Sequence, residues 1–166
     1  MKYQDYKPTS KFLTLEQGEN KIRLLTEAEQ FTNVYNNIET TRFVAYAIDR
    51  KDGQIKPFTF GASIIGQIMQ LARGTEYGFT TDTPPYDLII NRKGTEKATE
   101  YTVAPARKDT PLTKAETDAL AELKPIAELA AKLDKKLVAS EDHTKQTAPI
   151  EAYSDEGEIS ADQIPF

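Results

Sequence analysis

Few residues of this 166-residue chain have the type and spacing to do covalent chemistry. There is one histidine, His143, and no cysteine. Thiolate zinc sites, disulfides and His-based triads are therefore excluded. Asp49, Asp52, Asp82 and Asp87 are the carboxylates a metal-dependent nuclease could draw on, but Asp49 and Asp52 flank a turn signal and the other two fall in or beside a loop. A phosphate-binding loop needs Lys-Ser/Thr after its glycines, and the run around Gly66 lies in a helical pattern without it. The expectation is a protein that is not an enzyme, with no cofactor and no metal.

Binding chemistry is better represented. Single-stranded nucleic acid is held by a cationic groove and by aromatic faces on which bases stack, at about 1–3 kcal/mol per base. Both ingredients interleave in the first two thirds of the chain: Arg42, Phe43, Tyr46, Arg50, Lys56, Phe58, Arg92, Lys93, Tyr101 and Arg107. Aromatics on alternating strands serve equally well as core. Val44, Tyr46 and Ile48 make the more apolar face of their strand, so Phe43, on the opposite face, is the better stacking candidate.

The chain end carries a different signal. Asp155, Glu156, Glu158 and Asp162 precede Ile164-Pro165-Phe166. An unfolded acidic segment ending in a bulky ring with a free carboxylate suits a partner pocket that buries the ring and meets the charges with Arg or Lys.

The elements that must position these residues follow from periodicity. Phe12 to Leu15 and Lys21 to Leu25 read as strand pieces separated by a turn at Gly18. Residues 38–50 read as a long strand, Asp52-Gly53 as a hairpin turn, and Ile55 to Phe60 as its partner. Residues 62–73 place Ile64, Ile65, Ile68, Met69, Leu71 and Ala72 at helical spacing. Tyr86 to Asn91 and Lys97 to Ala104 complete the strands, with a basic turn around Arg92-Lys93-Gly94. This order predicts a mostly β fold: a five-stranded OB-type Greek-key barrel with a helix between its third and fourth strands. The domain covers 1–110. A helical extension follows over 111–138, opened by a capping box at Thr113 and Glu116 and interrupted by Pro125. Residues 139–166 read as a disordered linker and acidic tail.

Charge divides along the same line. Residues 1–110 carry 15 Lys/Arg and 14 Asp/Glu, a net of +1; residues 111–166 carry 6 and 12, a net of −6. The total of −5 thus does not exclude nucleic acid, because affinity follows the field of the binding face. The polar start is unlike a signal peptide and no apolar stretch approaches membrane length, so a cytoplasmic location is expected, with no membrane partner.

The ending Asp162-Gln163-Ile164-Pro165-Phe166 resembles the tail of bacterial single-stranded DNA-binding proteins, with Gln163 where that family carries an acid. The body is similar to the OB-fold single-stranded DNA-binding proteins of tailed bacteriophages. The likeness runs through Phe12-Leu13-Thr14-Leu15, Gly18 to Leu24, Asp49 to Lys56, Tyr86 to Gly94 and Glu100 to Val103. It implies sequence-independent binding and protection of single-stranded DNA during phage replication and recombination, in the cytoplasm of a bacterial host. It also implies a tail that recruits replication and recombination proteins. The tryptophan common on the second strand of that family is missing, leaving stacking to Phe and Tyr. An RNA-binding OB or cold-shock-like module, and a non-catalytic DNA-mimic interaction protein, are the competing expectations. The 113–138 helices can pack on the barrel or on another subunit, so the oligomeric state stays open.

Overall fold

The computed structural model describes residues 11–106 and 111–135. Among these residues, six strands and three α-helices follow in the order β1 (Gly18–Leu24), β2 (Glu29–Tyr35), β3 (Ile38–Asp49), β4 (Gln54–Phe60), α1 (Ala62–Arg73), β5 (Leu88–Lys93), β6 (Glu100–Pro105), α2 (Lys114–Ala121) and α3 (Ile126–Leu133). The strands form one curled antiparallel sheet, a half-barrel, in the order β2-β3-β1-β5-β6 with β4 also paired to β3.

The 12-residue β3 is the spine. Successive side chains on a strand point to opposite faces, and both faces of β3 are covered. Ala45 and Ala47 face the inside of the curl, where Ile22, Leu24, Phe58, Phe60, Leu88 and Ile90 gather and where Ile64 and Ile68 of α1 close one end. Val44, Tyr46 and Ile48 face outward and are equally buried, beneath α2 and α3.

β4 and β6 share no ladder among the described residues. Gln67 of α1 fills that role at one point. Its Nε2 donates to the Tyr101 carbonyl at 2.8 Å, and its Oε1 accepts from the Val103 amide at 2.8 Å. One amide side chain thus satisfies the β6 edge where a neighbouring strand would otherwise pair.

The stretch 111–135 is a strap across the outer face of the sheet. Thr113 caps α2 with a reciprocal box: its hydroxyl accepts from the Glu116 amide, and the Glu116 carboxylate accepts from the Thr113 amide. Pro125 opens α3. Leu112, Leu120, Leu123 and Ile126 pack on Leu25, Tyr46 and Ile48, while Ile126, Leu129, Ala130 and Leu133 pack on Phe31 and Val44. At its end the Thr32 amide donates to Asp134 Oδ1 and the Lys135 amide donates to the Thr32 carbonyl, each at 2.7 Å, hooking the strap onto the free edge of β2.

Several expectations need correcting. Phe12 to Leu15 is not a strand; it lies against β4 through the Leu13 amide bonded to the Pro57 carbonyl, with Leu13 and Leu15 buried. The segment 29–35 is a strand that sequence patterning passed over. β5 and β6 begin two and three residues later than expected, so Arg92 and Lys93 belong to β5 itself, and the turn falls at Gly94, whose φ of +86° suits glycine. Residue 107 and the tail from 139, with His143, lie outside the described residues.

Candidate nucleic-acid interface

Two arginines far apart in sequence meet at the open side of the half-barrel. A cleft of about 460 Å³ lies there. Arg42 of β3, Arg92 of β5 and Tyr101 of β6 line it, with Phe12, Phe60 and the first turn of α1 from Gly61 to Ile64. Among the described residues no carboxylate lines this cleft. Arg92 is held in place by Nη1 donating to the Leu15 carbonyl at 2.8 Å, and its buried Nε has no partner among the described residues. Neither Arg42 nor Arg92 has an ion-pair partner among the described residues.

The start of α1 adds to the positive field. Gly61 provides no side-chain cap, and the first turn of the helix contains no acid. The first amides of a helix lack intrahelical acceptors and carry the positive end of its dipole, so they favour anions. Two guanidiniums and these amides in one concavity suit an anionic, phosphate-like group. The half-buried rings of Phe12 and Tyr101 beside them suit a planar apolar one, while Phe60, 1% exposed, belongs to the interior beneath.

The other expected site residues are placed differently. Phe58 is 2% exposed and Tyr46 is 8% exposed. Phe58 belongs to the interior and Tyr46 to the seam under α2, so neither presents a ring to a ligand. Phe43 is half-buried against the interior, its ring stacked on Phe60 at 6.0 Å. The face read as the groove is thus the inside of the curl, because the strap turns the opposite face into a second buried surface. Lys56 pairs with Asp52 at 2.9 Å across the β3–β4 turn. Lys93 is exposed at the end of β5, opposite Glu100. Arg107 lies outside the described residues.

Arg50 is engaged in structure. Its guanidinium donates to Asp87 at 3.1–3.3 Å and to Glu116 of α2. Arg23 lies 3.6 Å from the same Asp87. Burial lowers the Arg23 pKa, opposed by the Asp87 charge. Burial also acts to lower Arg50, but its bonds to Asp87 and Glu116 outweigh that and raise it. Glu116 is desolvated in the direction of a higher pKa, yet the Thr113 amide and Arg50 together hold it below the ordinary glutamate value. This network joins β1, the residue after β3, the residue before β5 and the strap, and it commits Asp87 to two arginines. Among the described residues no group of three metal-ligating side chains converges.

Compared with known proteins, the chain matches no family model, no curated protein and no solved structure.

The strap decides which surface remains for a ligand. Six strap side chains, Leu112, Leu120, Leu123, Ile126, Leu129 and Leu133, are each half-buried on the outer face. Half of the roughly 1.5–3 kcal/mol for full burial gives about 1 kcal/mol each, or about 6 kcal/mol for the six. That exceeds the about 1–3 kcal/mol one stacked base returns. A ligand seated over Tyr46 would have to remove the strap first; one seated in the Arg42–Arg92 cleft would not. Among the described residues no helix is long and apolar enough to cross a membrane.

Proposed function

We propose that this protein binds single-stranded DNA without sequence preference, through the cleft at the open side of the half-barrel. The observation that carries the reading is the convergence of Arg42, Arg92 and the uncapped start of α1, with Phe12 and Tyr101, in one concavity that no described carboxylate lines. Backbone phosphates sit against the arginines and the helix start, and bases lie against the half-buried rings of Phe12 and Tyr101. Duplex fits poorly, because its bases are already stacked and offer no free face.

An OB-type barrel is the finer fold assignment, and the topology supports it. Residues 22–24 and 29–35 pair along one edge of β3, so β1 and β2 act as two halves of one bent strand. Counted so, five strands remain with α1 between the third and the fourth. The phage-like body and the Ile164-Pro165-Phe166 ending support the wider role: protection of single strands during phage replication and recombination, with partner enzymes recruited by the acidic tail.

The test is binding of oligodeoxythymidine across a range of salt. Each phosphate neutralised contributes about −0.7 to the slope of log K against log salt for single strands. Arg42→Ala and Arg92→Ala should each flatten the slope by about one contact. Wild-type slopes in both variants, with unchanged affinity, would remove the cleft from the binding surface.

A further inference from the structure

Only two large apolar side chains are conspicuously exposed among the described residues, Tyr35 and Met69, at 58% and 45%. Tyr35 sits at the tip of the β2–β3 hairpin. We infer that Tyr35 is a base-stacking platform that carries the DNA path from the cleft out along this hairpin. The inference rests on the single-strand reading above.

Register supplies the first argument. Phe31 faces Arg42 across the hairpin, Asn33 faces Thr40, and Tyr35 faces Ile38. These pairs are two residues apart on each strand, so all six side chains lie on one face. That face is the outer one, shared with Val44; α3 covers Phe31, and the uncovered part runs from Arg42, whose side chain also lines the cleft, to Tyr35. None of the six is acidic; Glu39 pairs with Val34 and lies on the other face. Arg42 and Ile38 are four residues apart on β3, or about 14 Å at about 3.4 Å per residue. A strand leaving the cleft would cross that distance within a few nucleotides, inside the about 4–16 that one OB domain covers.

Rigidity supplies the second. Asn36 and Asn37 have φ of 51° and 60°. Positive φ at both central residues makes a two-residue hairpin turn of the primed kind, which matches the strand twist. The base of the hairpin is fixed by Phe31 and Val44 beneath α3 and by Asp134 and Lys135 bonded to Thr32. Beyond that clamp only the last turns of the arm project. A ring that is exposed yet held on an anchored hairpin loses little freedom when a base stacks on it.

The experiment uses the full-length chain and a long oligodeoxythymidine. The sequence contains no tryptophan, so Tyr35→Trp introduces a single reporter at the tip. Its fluorescence should be quenched as DNA binds. Tyr35→Ala should weaken binding between about fivefold and about 150-fold with an unchanged salt slope, since a stacking contact releases no counterions. Tyr35→Phe should bind like wild type, and Met69→Ala, equally apolar but on α1, should show no loss. Unquenched indole fluorescence in the DNA-bound Tyr35→Trp variant, with Tyr35→Ala at wild-type affinity, overturns the inference and leaves the cleft intact. A wild-type protein that binds no single strand overturns the cleft reading, and the hairpin path with it.

Discussion

Replacing Asp87 by Asn separates a structural carboxylate from a catalytic or ligand-binding one. Asp87 and Arg23 have side chains 8% and 5% exposed, and Arg50 reaches the same carboxylate. Asn keeps the shape but removes the charge that offsets both guanidiniums. Removing one member of a buried ion pair typically costs about 3–5 kcal/mol, because the partner stays buried and uncompensated. Arg23 sets the size of the effect, since it has little water to turn to. Arg50 is more exposed and keeps Glu116, so it adds less. The expected loss is therefore about 3–5 kcal/mol in urea unfolding, or about 10–20 °C in Tm at about 3–4 °C per kcal/mol for a chain of this size. Oligodeoxythymidine affinity of the folded variant should not change, since Asp87 does not line the cleft. A loss below about 1 kcal/mol would refute the view that Asp87 holds the network. Intact stability with lost DNA binding would instead move Asp87 into the binding site.

Other outcomes follow from the same contacts. Glu116 has a lowered pKa in the folded state, so its contribution is present above the unfolded value of about 4.3 and is lost as pH falls through the lower folded value. Glu116→Gln should lower stability at pH 7 and flatten the acid limb of the stability–pH curve, read by urea titration at several pH values. Gln67→Leu leaves the Val103 amide and the Tyr101 carbonyl without their partner and should cost about 1–3 kcal/mol, with faster amide exchange at Val103. Deleting residues 151–166 should leave single-strand affinity unchanged or raise it at low salt, where the acids compete best for a cationic cleft, and should abolish capture of partner replication proteins. Phe166→Ala alone should do most of the latter, while weakened DNA binding with retained capture would assign the tail to the DNA site.

The elements that could be read from sequence are those whose signals are local. Residues 62–73 show helical spacing and form a helix with those bounds, Asp52-Gly53 turns a hairpin, and Thr113 with Glu116 caps α2 as the pattern requires. The hairpin at Asn36-Asn37 carries a local signal too, a pair tolerant of positive φ between two alternating runs. Phe12 to Leu15 has strand-like alternation because Leu13 and Leu15 both reach the core, yet it forms no strand and lies against β4 with the Leu13 amide on the Pro57 carbonyl.

The site was less legible because its logic is long-range. Alternation assigns the residues of β3 to two faces, but it cannot say that a strap about 70 residues later buries the outer one. That strap removes Tyr46 from the surface. Arg50 reads as a free cation until Asp87 and Glu116, 37 and 66 residues away, are seen beside it. Arg42, Arg92 and Tyr101 were legible as types, and only the fold brings them to one cleft.

The central claim is tested most directly by competition against a labelled oligodeoxythymidine bound to the full-length protein, with unlabelled single-stranded DNA, single-stranded RNA and duplex DNA as competitors. Single-stranded DNA of any composition should displace the label at the lowest concentration, with RNA weaker and duplex weakest, and direct binding of the label should weaken in Arg42→Ala/Arg92→Ala. Equal or stronger displacement by duplex, or preference for RNA, would contradict the account.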